Sequence, residues 1–322
     1  MRKSVQISFA LGVFVLASLA NAFADEFPNR PITLVSPYAA GGGNDFMART
    51  VARGLADVLK QTVVVENKAG AGGSIGLSFV SRARPDGYTI VMGGIGSVVL
   101  RPAFEAERLK FNPQKELAPV ALIAKESPVL MVNGSLNVKT LPELIALAKT
   151  SRITYGTPGV GTAMHLTGEL MKQVTDAPMV HVPYRGQGSA FADLLGGTIS
   201  LVFTDVSVAL PYAKDSRVHI LAVAGKERSP LLPDVPTTAE LGYPKLVMEN
   251  WYAVYAPPST PAPIIARLSE AINAAMTSPE VKDVIGKTSG LIPLAGGPDA
   301  LKKQTAEDNE KWRPIAARAR RE

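Results

Sequence analysis

The sequence predicts an α/β fold of two packed lobes, and three observations predict it. Short β-rich runs alternate with segments of helical spacing along the chain after its first two dozen residues. At 322 residues the chain is long for one ordinary domain and comfortable for two. With 46% hydrophobic and only 19% charged residues it can bury a large core, which excludes a disordered chain. The alternation predicts mostly parallel strands joined by crossover helices. No short internal repeat and no low-complexity linker interrupts it, so the lobes are expected to be packed together rather than tethered.

The elements follow in order. Ile32 to Val35 is the first strand, and a glycine loop, Gly41-Gly42-Gly43, comes after it. Met47, Val51, Leu55 and Val58 then repeat at helical spacing. Val63 to Val65 and Tyr88 to Val91 read as strands, the second preceded by the turn Pro85-Asp86-Gly87. Val129 to Val132 is a strand, Leu141 to Ala148 a helix with Pro142 near its start, and Ile153 to Tyr155 another strand. The loop Gly156 to Thr162 leads into a helix with Met164, Thr167, Met171 and Val174 on one face. Met179 to Val182, Leu201 to Phe203, Ile220 to Ala224 and Trp251 to Tyr255 are further strands. Thr260 is expected to cap a helix with Pro261 at its first position and Ile264, Leu268, Ile272 and Ala275 on its buried face. Asp299 to Ala319 is the last helix.

The first residues predict the compartment. Met1-Arg2-Lys3 is basic, Val5 to Ala20 is almost wholly apolar, and Ala22-Phe23-Ala24 is a small-x-small site. These are the parts of a secretory signal peptide over residues 1–24, with cleavage after Ala24 and an exported, periplasmic product. The apolar run is short for a membrane span of ~20 residues, and the lack of a cysteine at the cleavage site excludes a lipoprotein. The chain has no cysteine at all, which excludes thiolate metal sites and thiol catalysis. His165, His181 and His219 show no metal-ligand spacing, so no metal is expected. The formal charge of +6, or +4 once Arg2 and Lys3 leave with the signal, is a mild excess that would assist capture of anions. The basic cluster Arg313 to Arg321 reads as the solvated face of the last helix, not as a nucleic-acid site.

Two glycine-rich loops sit between a strand and a helix: Pro37-Tyr38-Ala39-Ala40-Gly41-Gly42-Gly43-Asn44-Asp45 and Thr157-Pro158-Gly159-Val160-Gly161-Thr162. Each should place bare backbone N–H groups at a helix N-terminus, where unpaired donors and the helix dipole favour an anion. Glycine lets a ligand approach the backbone closely, and Thr157 and Thr162 add hydroxyl donors. Asp45 would repel an anion there; it either caps the helix or faces an ammonium group on the ligand. Nucleotide motifs fail: a G-x-G-x-x-G pattern from Gly41 meets Phe46 where glycine is needed, and one from Gly70 meets Ile75, so no cofactor is expected. Gly72-Gly73-Ser74-Ile75-Gly76 fits the G-x-S-x-G nucleophile elbow, with Asp205 and His219 as the tempting partners of Ser74. The elbow needs a strand running straight into the serine, and Glu66 to Ala71 intervenes, so Ser74 reads as a helix cap instead. Arg185, after Tyr184, either pairs with a carboxylate or is a surface cation. Asp205 follows an apolar strand at its C-terminal end, where α/β folds gather ligands, or else caps the next helix.

These segments resemble the substrate-binding proteins of tripartite tricarboxylate transporters, the Bug family. The resemblance is carried over the whole mature chain by Pro31 to Val35 with the Gly-Gly-Gly-Asn-Asp loop, Val65 to Gly73, Pro85 to Thr89, Tyr155 to Thr162, Val182 to Gly186, Pro233 to Thr237 and Ala256 to Pro261. It implies a two-lobed periplasmic binding fold of type II, a Venus flytrap with the ligand in the cleft. Residues 25–124 and 249–322 would form lobe 1, and 125–248 lobe 2. The implied ligand is a small organic acid (a dicarboxylate, tricarboxylate or aromatic acid), and the implied partner is the membrane permease of such a transporter; a monomer is expected. The implied ligand-binding residues are Tyr38, Ala39, Ala40, Gly41, Gly42, Asp45, Ser97, Thr157, Gly159, Gly161, Thr162, His165, Tyr184, Arg185 and Asp205. Arg185, Met164 and Gly96-Ser97 depart from the residues more usual in the family, which leaves the ligand's far end open. A membrane-kinase sensor and a hydrolase using Ser74 are the alternative readings.

Overall fold

The computed structural model describes residues 27–41, 43–105, 110–184, 186–288 and 290–320. The expected signal peptide, Gly42 and Arg185 lie outside the described residues.

The first half of the chain builds β1 (Ile32–Ser36), α1 (Gly43–Leu59), β2 (Val63–Asn67), α2 (Ser74–Ser81) and β3 (Thr89–Gly94). A π-helical turn, Gly96–Leu100, leads to the short helices α3 (Arg101–Phe104) and α4 (Pro113–Glu116) and then to β4 (Ala118–Glu126). The middle holds β5 (Val129–Asn133), α5 (Leu141–Ala148), β6 (Ile153–Thr157), α6 (Ala163–Thr175), β7 (Met179–Pro183), α7 (Gln187–Leu195), β8 (Leu201–Thr204), α8 (Val206–Ala209) and β9 (Val218–Val223). The chain returns through β10 (Asn250–Ala256), α9 (Ala262–Thr277), α10 (Pro279–Thr288), β11 (Ile292–Gly296) and α11 (Pro298–Ala319).

The strands sort into two sheets, ordered β11-β4-β10-β3-β1-β2 and β7-β6-β8-β5-β9. This is a two-lobed α/β molecule. The expectation of mostly parallel strands is corrected. The β1–β2, β1–β3, β6–β7 and β6–β8 ladders are parallel, but β4, β5, β10 and β11 pair antiparallel with their neighbours. The reason is the path of the chain. It leaves the first sheet along β4 and comes back along β10, so these strands lie side by side and run in opposite directions.

Local signals account for many elements. In α5 Thr140 accepts from the Glu143 N–H, Glu143 answers with a bond to the Thr140 N–H, and Pro142 sits in the first turn: a complete capping box. The apolar stripe of α1 buries Met47, Val51 and Leu55 fully. There α1 meets α9 so closely that a Cβ on Gly54 would stand 2.8 Å from Ala275 Cβ. Two helix starts differ from expectation. Pro261, not Thr260, is the N-cap residue of α9, and the Thr260 hydroxyl donates to the Pro257 carbonyl instead. Gly73 caps α2 in a left-handed conformation, which makes Ser74 the first helical residue.

α11 ties the lobes together. It lies against β4 and also against α6 of the second lobe, and it buries Trp312 completely. Asp308 of α11 accepts a hydrogen bond from the buried Trp251 indole of β10 at 2.7 Å. Among the described residues no helix is long and apolar enough to cross a membrane.

Candidate functional site

The first glycine loop leaves β1 at its C-terminal end and feeds α1. Ala39, Ala40 and Gly41 are exposed, and Gly41 turns at φ +88°. Asp45 binds the loop to the lobe. Its Oδ2 accepts from the Gly41 N–H at 3.0 Å and from Arg49 Nε at 3.0 Å, and its Oδ1 accepts from Asn67 Nδ2 at 2.8 Å. The same Asn67 amide donates to the Tyr38 carbonyl. Burial works to raise the pKa of Asp45, but these hydrogen bonds outweigh it and hold the carboxyl below the usual range. These bonds tie the loop to the start of α1.

Behind the loop the Tyr38 hydroxyl donates to the Gly72 carbonyl at 3.3 Å. Burial pushes this phenol up, against the opposing effects of Ser97 and Arg101. Ser97 is buried, and Arg101 reaches over Gly72, with Nη2 at 2.7 Å from Glu105 Oε2. One turn on from Arg101, Phe104 crosses to the other lobe. Its ring lies edge-on to His165, centroids 5.5 Å apart, and 3.7 Å from the position of a Cβ on Gly161.

The second loop leaves β6 in the same way. Thr162 is the N-cap of α6: its Oγ1 accepts from the His165 N–H and donates to the Gly159 carbonyl at 2.8 Å. Gly159 (φ +138°) and Gly161 (φ +77°) hold conformations that a side chain would resist. His165 Nδ1 accepts from the Gly161 N–H at 3.1 Å, which assigns the ring proton of the neutral imidazole to Nε2. His165 packs on His181 with centroids 4.2 Å apart, and His181 Nε2 is 2.6 Å from Thr157 Oγ1. Burial lowers both histidines to about 4. For His165 Lys172 adds to the effect, and for His181 the neighbouring His165 does so first. Tyr184 turns its hydroxyl to Asp193 Oδ2 at 2.6 Å; burial first, then that carboxylate, push the phenol up to about 12.

A third cluster forms where the chain crosses between the lobes. Asp205 stands at the N-cap position of α8 but makes no capping bond. Its carboxyl lies beside that of Glu126, the last residue of β4, so that the two groups influence each other. Glu126 Oε1 accepts from the Tyr252 hydroxyl at 2.8 Å and from Asn250 Nδ2 at 3.4 Å. Burial raises both carboxyls, Asp205 to about 6 and Glu126 well above its usual value, and the Asp205 charge adds to the effect on Glu126. Asp205 also reaches the start of α1 in the other lobe. A Cβ placed on Gly43 would stand 2.8 Å from the Tyr252 hydroxyl oxygen and 3.4 Å from Asp205 Oδ2.

Of the described sequence-predicted residues, Asp45 is bonded within the first lobe and Tyr184 turns to Asp193 within the second; the others fall at three places. Tyr38 to Gly41 and Ser97 lie on the first lobe, Thr157 to His165 on the second, and Asp205 between them. Sequence reasoning missed Arg101, Phe104, Glu126, His181, Asn250 and Tyr252. The signal for Glu126 was the Lys125-Glu126 pair that ends the apolar run Val120 to Ala124; for His181 it was a polar residue inside an apolar strand. Among the described residues no hydrogen bond links Ser74 to Asp205 or His219. The Asp205 carboxyl is engaged with Glu126, and His219 sits on β9, the edge strand of the second sheet.

Two mixed sheets, joined by neighbouring crossing strands and carrying a glycine-loop helix start on each side of the boundary, define a two-lobed solute-binding protein. The sequence profile of the tripartite tricarboxylate transporter family receptor matches residues 47–320, and the chain belongs to that family. It is 33% identical over 306 residues to Protein BugT of Bordetella pertussis, with 94% of each chain covered. Among solved structures it is similar to the periplasmic binding protein BugD (TM-score 0.81, 30% identity, 91% of this chain and 98% of that one). It is also similar to Rpa4515 of R. palustris with adipate (TM-score 0.84, 29%, 91% and 98%) and to MatC of Rhodopseudomonas palustris with bound malate (TM-score 0.81, 28%, 90% and 100%). Solute-binding receptors of this kind are not an enzyme class.

Proposed function

We propose that this protein is a periplasmic receptor that captures a small organic acid between its lobes and delivers it to the membrane permease of a tripartite tricarboxylate transporter. The carrying observation is the pairing of two strand–glycine loop–helix starts, one per lobe, on either side of a boundary bridged by Phe104 and Asp205. Backbone N–H groups at such starts suit a carboxylate. The lobes part at residues 124/125 and 248/249 in this reading. The first loop supplies Tyr38 to Gly42 with Ser97, and the second supplies Thr157, Gly159, Gly161, Thr162 and the Nε2–H of His165. Asp45 shapes the first loop. MatC is described with malate and Rpa4515 with adipate, both dicarboxylates, which favours that ligand class. The energetics are adequate. Micromolar affinity needs about −8.2 kcal/mol. Charge-assisted hydrogen bonds contribute ~1.5–3 kcal/mol each, so four to six suffice after ordering costs.

The test is a thermal-shift screen of the mature chain, refolded free of carried-over ligand, against C4–C6 dicarboxylates, tricarboxylates and aromatic acids. The expected result is a concentration-dependent rise in Tm with one carboxylate class and no consumption of the compound. A flat response to every acid would overturn the reading.

A further inference from the structure

We propose that the groove between the C-terminal halves of α6 and α11 is a second binding site, one that takes an amphiphilic organic anion: an acidic head on an apolar body. This goes beyond the receptor reading above and does not depend on it.

The first ground is position and size. The groove has a volume of about 670 Å³, within the range of small-molecule sites. Leu170, Gln173 and Val174 of α6 form one wall, and Lys311, Ile315 and Arg318 of α11 the other. The segment leading into β10 closes it with Pro244, Lys245 and Val247. At ~1.5 Å of rise per residue, Leu170 and Val174 lie roughly 12 and 18 Å along α6 from its cap Thr162. The groove is therefore separate from the second glycine loop.

The second ground is the lining. Val174 and Ile315 are half-buried, so apolar surface beside the buried Leu170 and Val247 is open to an occupant. Lys226, Lys245, Lys311 and Arg318 line the same groove, and no Asp or Glu does. The acids that act on Lys311 are engaged elsewhere. Asp308 accepts from the Trp251 indole and the Gln304 amide, and Glu249 pairs with Lys125 at 2.7 Å. Lys226 reaches Glu249 only at 3.8 Å. Complementing a helix C-terminus accounts for Arg318, in the last turn of α11. It does not account for Lys226 and Lys245, which lie outside any helix. A concave surface with this excess of one sign draws anions.

The third ground is hydrogen-bond accounting. Lys311 Nζ donates to the Val247 carbonyl at 2.7 Å, which anchors the ammonium in the wall and leaves it two further donors. Burial lowers its pKa, against the opposing effects of Asp308 and Glu249. Gln173 Nε2 is buried with no acceptor among the described residues. A donor in that state is costly, and it gains by turning towards an oxygen in the groove. A carboxylate or sulfonate head suits Lys245, Lys311 and Gln173, and an apolar body suits Leu170, Val174 and Ile315. A small dicarboxylate, polar at both ends, would leave that apolar wall unused.

The experiment is a fluorescence titration of the mature chain at pH 7.5 with anilinonaphthalene sulfonate, an acid head on an aromatic body. Displacement by decanoate, decanol and acetate follows. The expected result is saturable one-to-one binding, reversed by decanoate but not by uncharged decanol or by acetate, which lacks the body. Lys245→Glu, at an exposed position, and Gln173→Glu should each weaken the dye roughly fivefold or more at unchanged Tm. No saturable binding to the folded chain overturns the inference, and so does equal affinity in both variants, which places the dye elsewhere. Displacement by decanol as readily as by decanoate removes the anionic head from recognition and overturns it too. Cosedimentation with phosphatidylglycerol vesicles, without displacement of the dye by decanoate, would mean a membrane-facing surface in place of a pocket. Should Gln173→Glu fail to fold, Lys245→Glu decides alone. The carboxylate reading is decided separately by the acid screen.

Discussion

Both glycine loops leave a strand that pairs in parallel with its neighbours, turn through a glycine at positive φ and feed a helix, yet the titratable groups beside them are of opposite kind. Beside the first are two carboxyls, Glu126 and Asp205, which burial raises; beside the second are two imidazoles, His165 and His181, which burial lowers. The physical cause is the same, since a low dielectric disfavours the charged form of either group. The consequence differs. The histidine side becomes a neutral donor surface, with the tautomer set by Gly161. The carboxyl side keeps one proton and an acceptor. One backbone plan is therefore set among side chains of opposite electrostatic kind in the two lobes.

The sharpest way to break this comparison is Gly43→Ala against Gly161→Ala. The new Cβ at 43 would stand 2.8 Å from the Tyr252 hydroxyl oxygen of its own lobe and 3.4 Å from Asp205 Oδ2 of the other, so the Tyr252 side chain must shift beside the start of α1. We expect ligand affinity to fall at least about tenfold, or ~1.4 kcal/mol, with little loss of Tm. At 161 the nearest atom is 3.7 Å away, so the effect comes from φ +77° and should appear as ~1–2 kcal/mol of lost stability. Titration calorimetry and thermal melts separate the two. Equal affinity losses without loss of stability at 161 would mean that the loops do not differ in this way.

The pH dependence of the ligand-free melt comes next in size. Asp205 moves from 3.8 unfolded to about 6 folded, so the stability it contributes is full below about 4 and is lost as pH rises through 6. That is on the order of 2–3 kcal/mol, and Asp205→Asn should flatten this limb. The histidines run the other way. Their folded values of about 4 lie below 6.5, so their contribution is present above 6.5 and lost as pH falls towards 4. His165→Gln should flatten that limb by a similar amount, and the half-buried His181 should matter less. An unchanged pH profile in Asp205→Asn would count against the buried carboxyl pair.

Two smaller effects sharpen the contrast. Thr162 caps α6 and Asp205 caps nothing, so Thr162→Ala should cost about 1 kcal/mol, seen as a few degrees of Tm. Asp45→Asn places an amide where one carboxylate oxygen accepts from both the Gly41 N–H and Arg49, and should lower Tm without altering ligand preference. A changed preference would move Asp45 from the loop's support into the ligand site.

How much of this was legible in the sequence follows from the range of each interaction. Thr140-Leu141-Pro142-Glu143 specifies a helix start within four residues, and α5 begins there. The two glycine loops announce helix N-termini in the same local way. β4 was illegible because its partner β10 lies far along the chain, and only their side-by-side pairing makes Ala118–Glu126 a strand. The antiparallel direction of the crossing strands has the same origin. Asp205 could be read as cap or ligand residue because both need a carboxylate after a strand; the fold places Glu126 against it and leaves the cap bond unmade. The sequence by itself determined the α/β alternation, the glycine turns and the family, because these rest on neighbours in the chain. Which carboxyls meet where the chain crosses between the lobes, and which imidazoles pack together within the second, was decided only by tertiary structure, because burial and pairing between distant residues are properties of the folded chain alone.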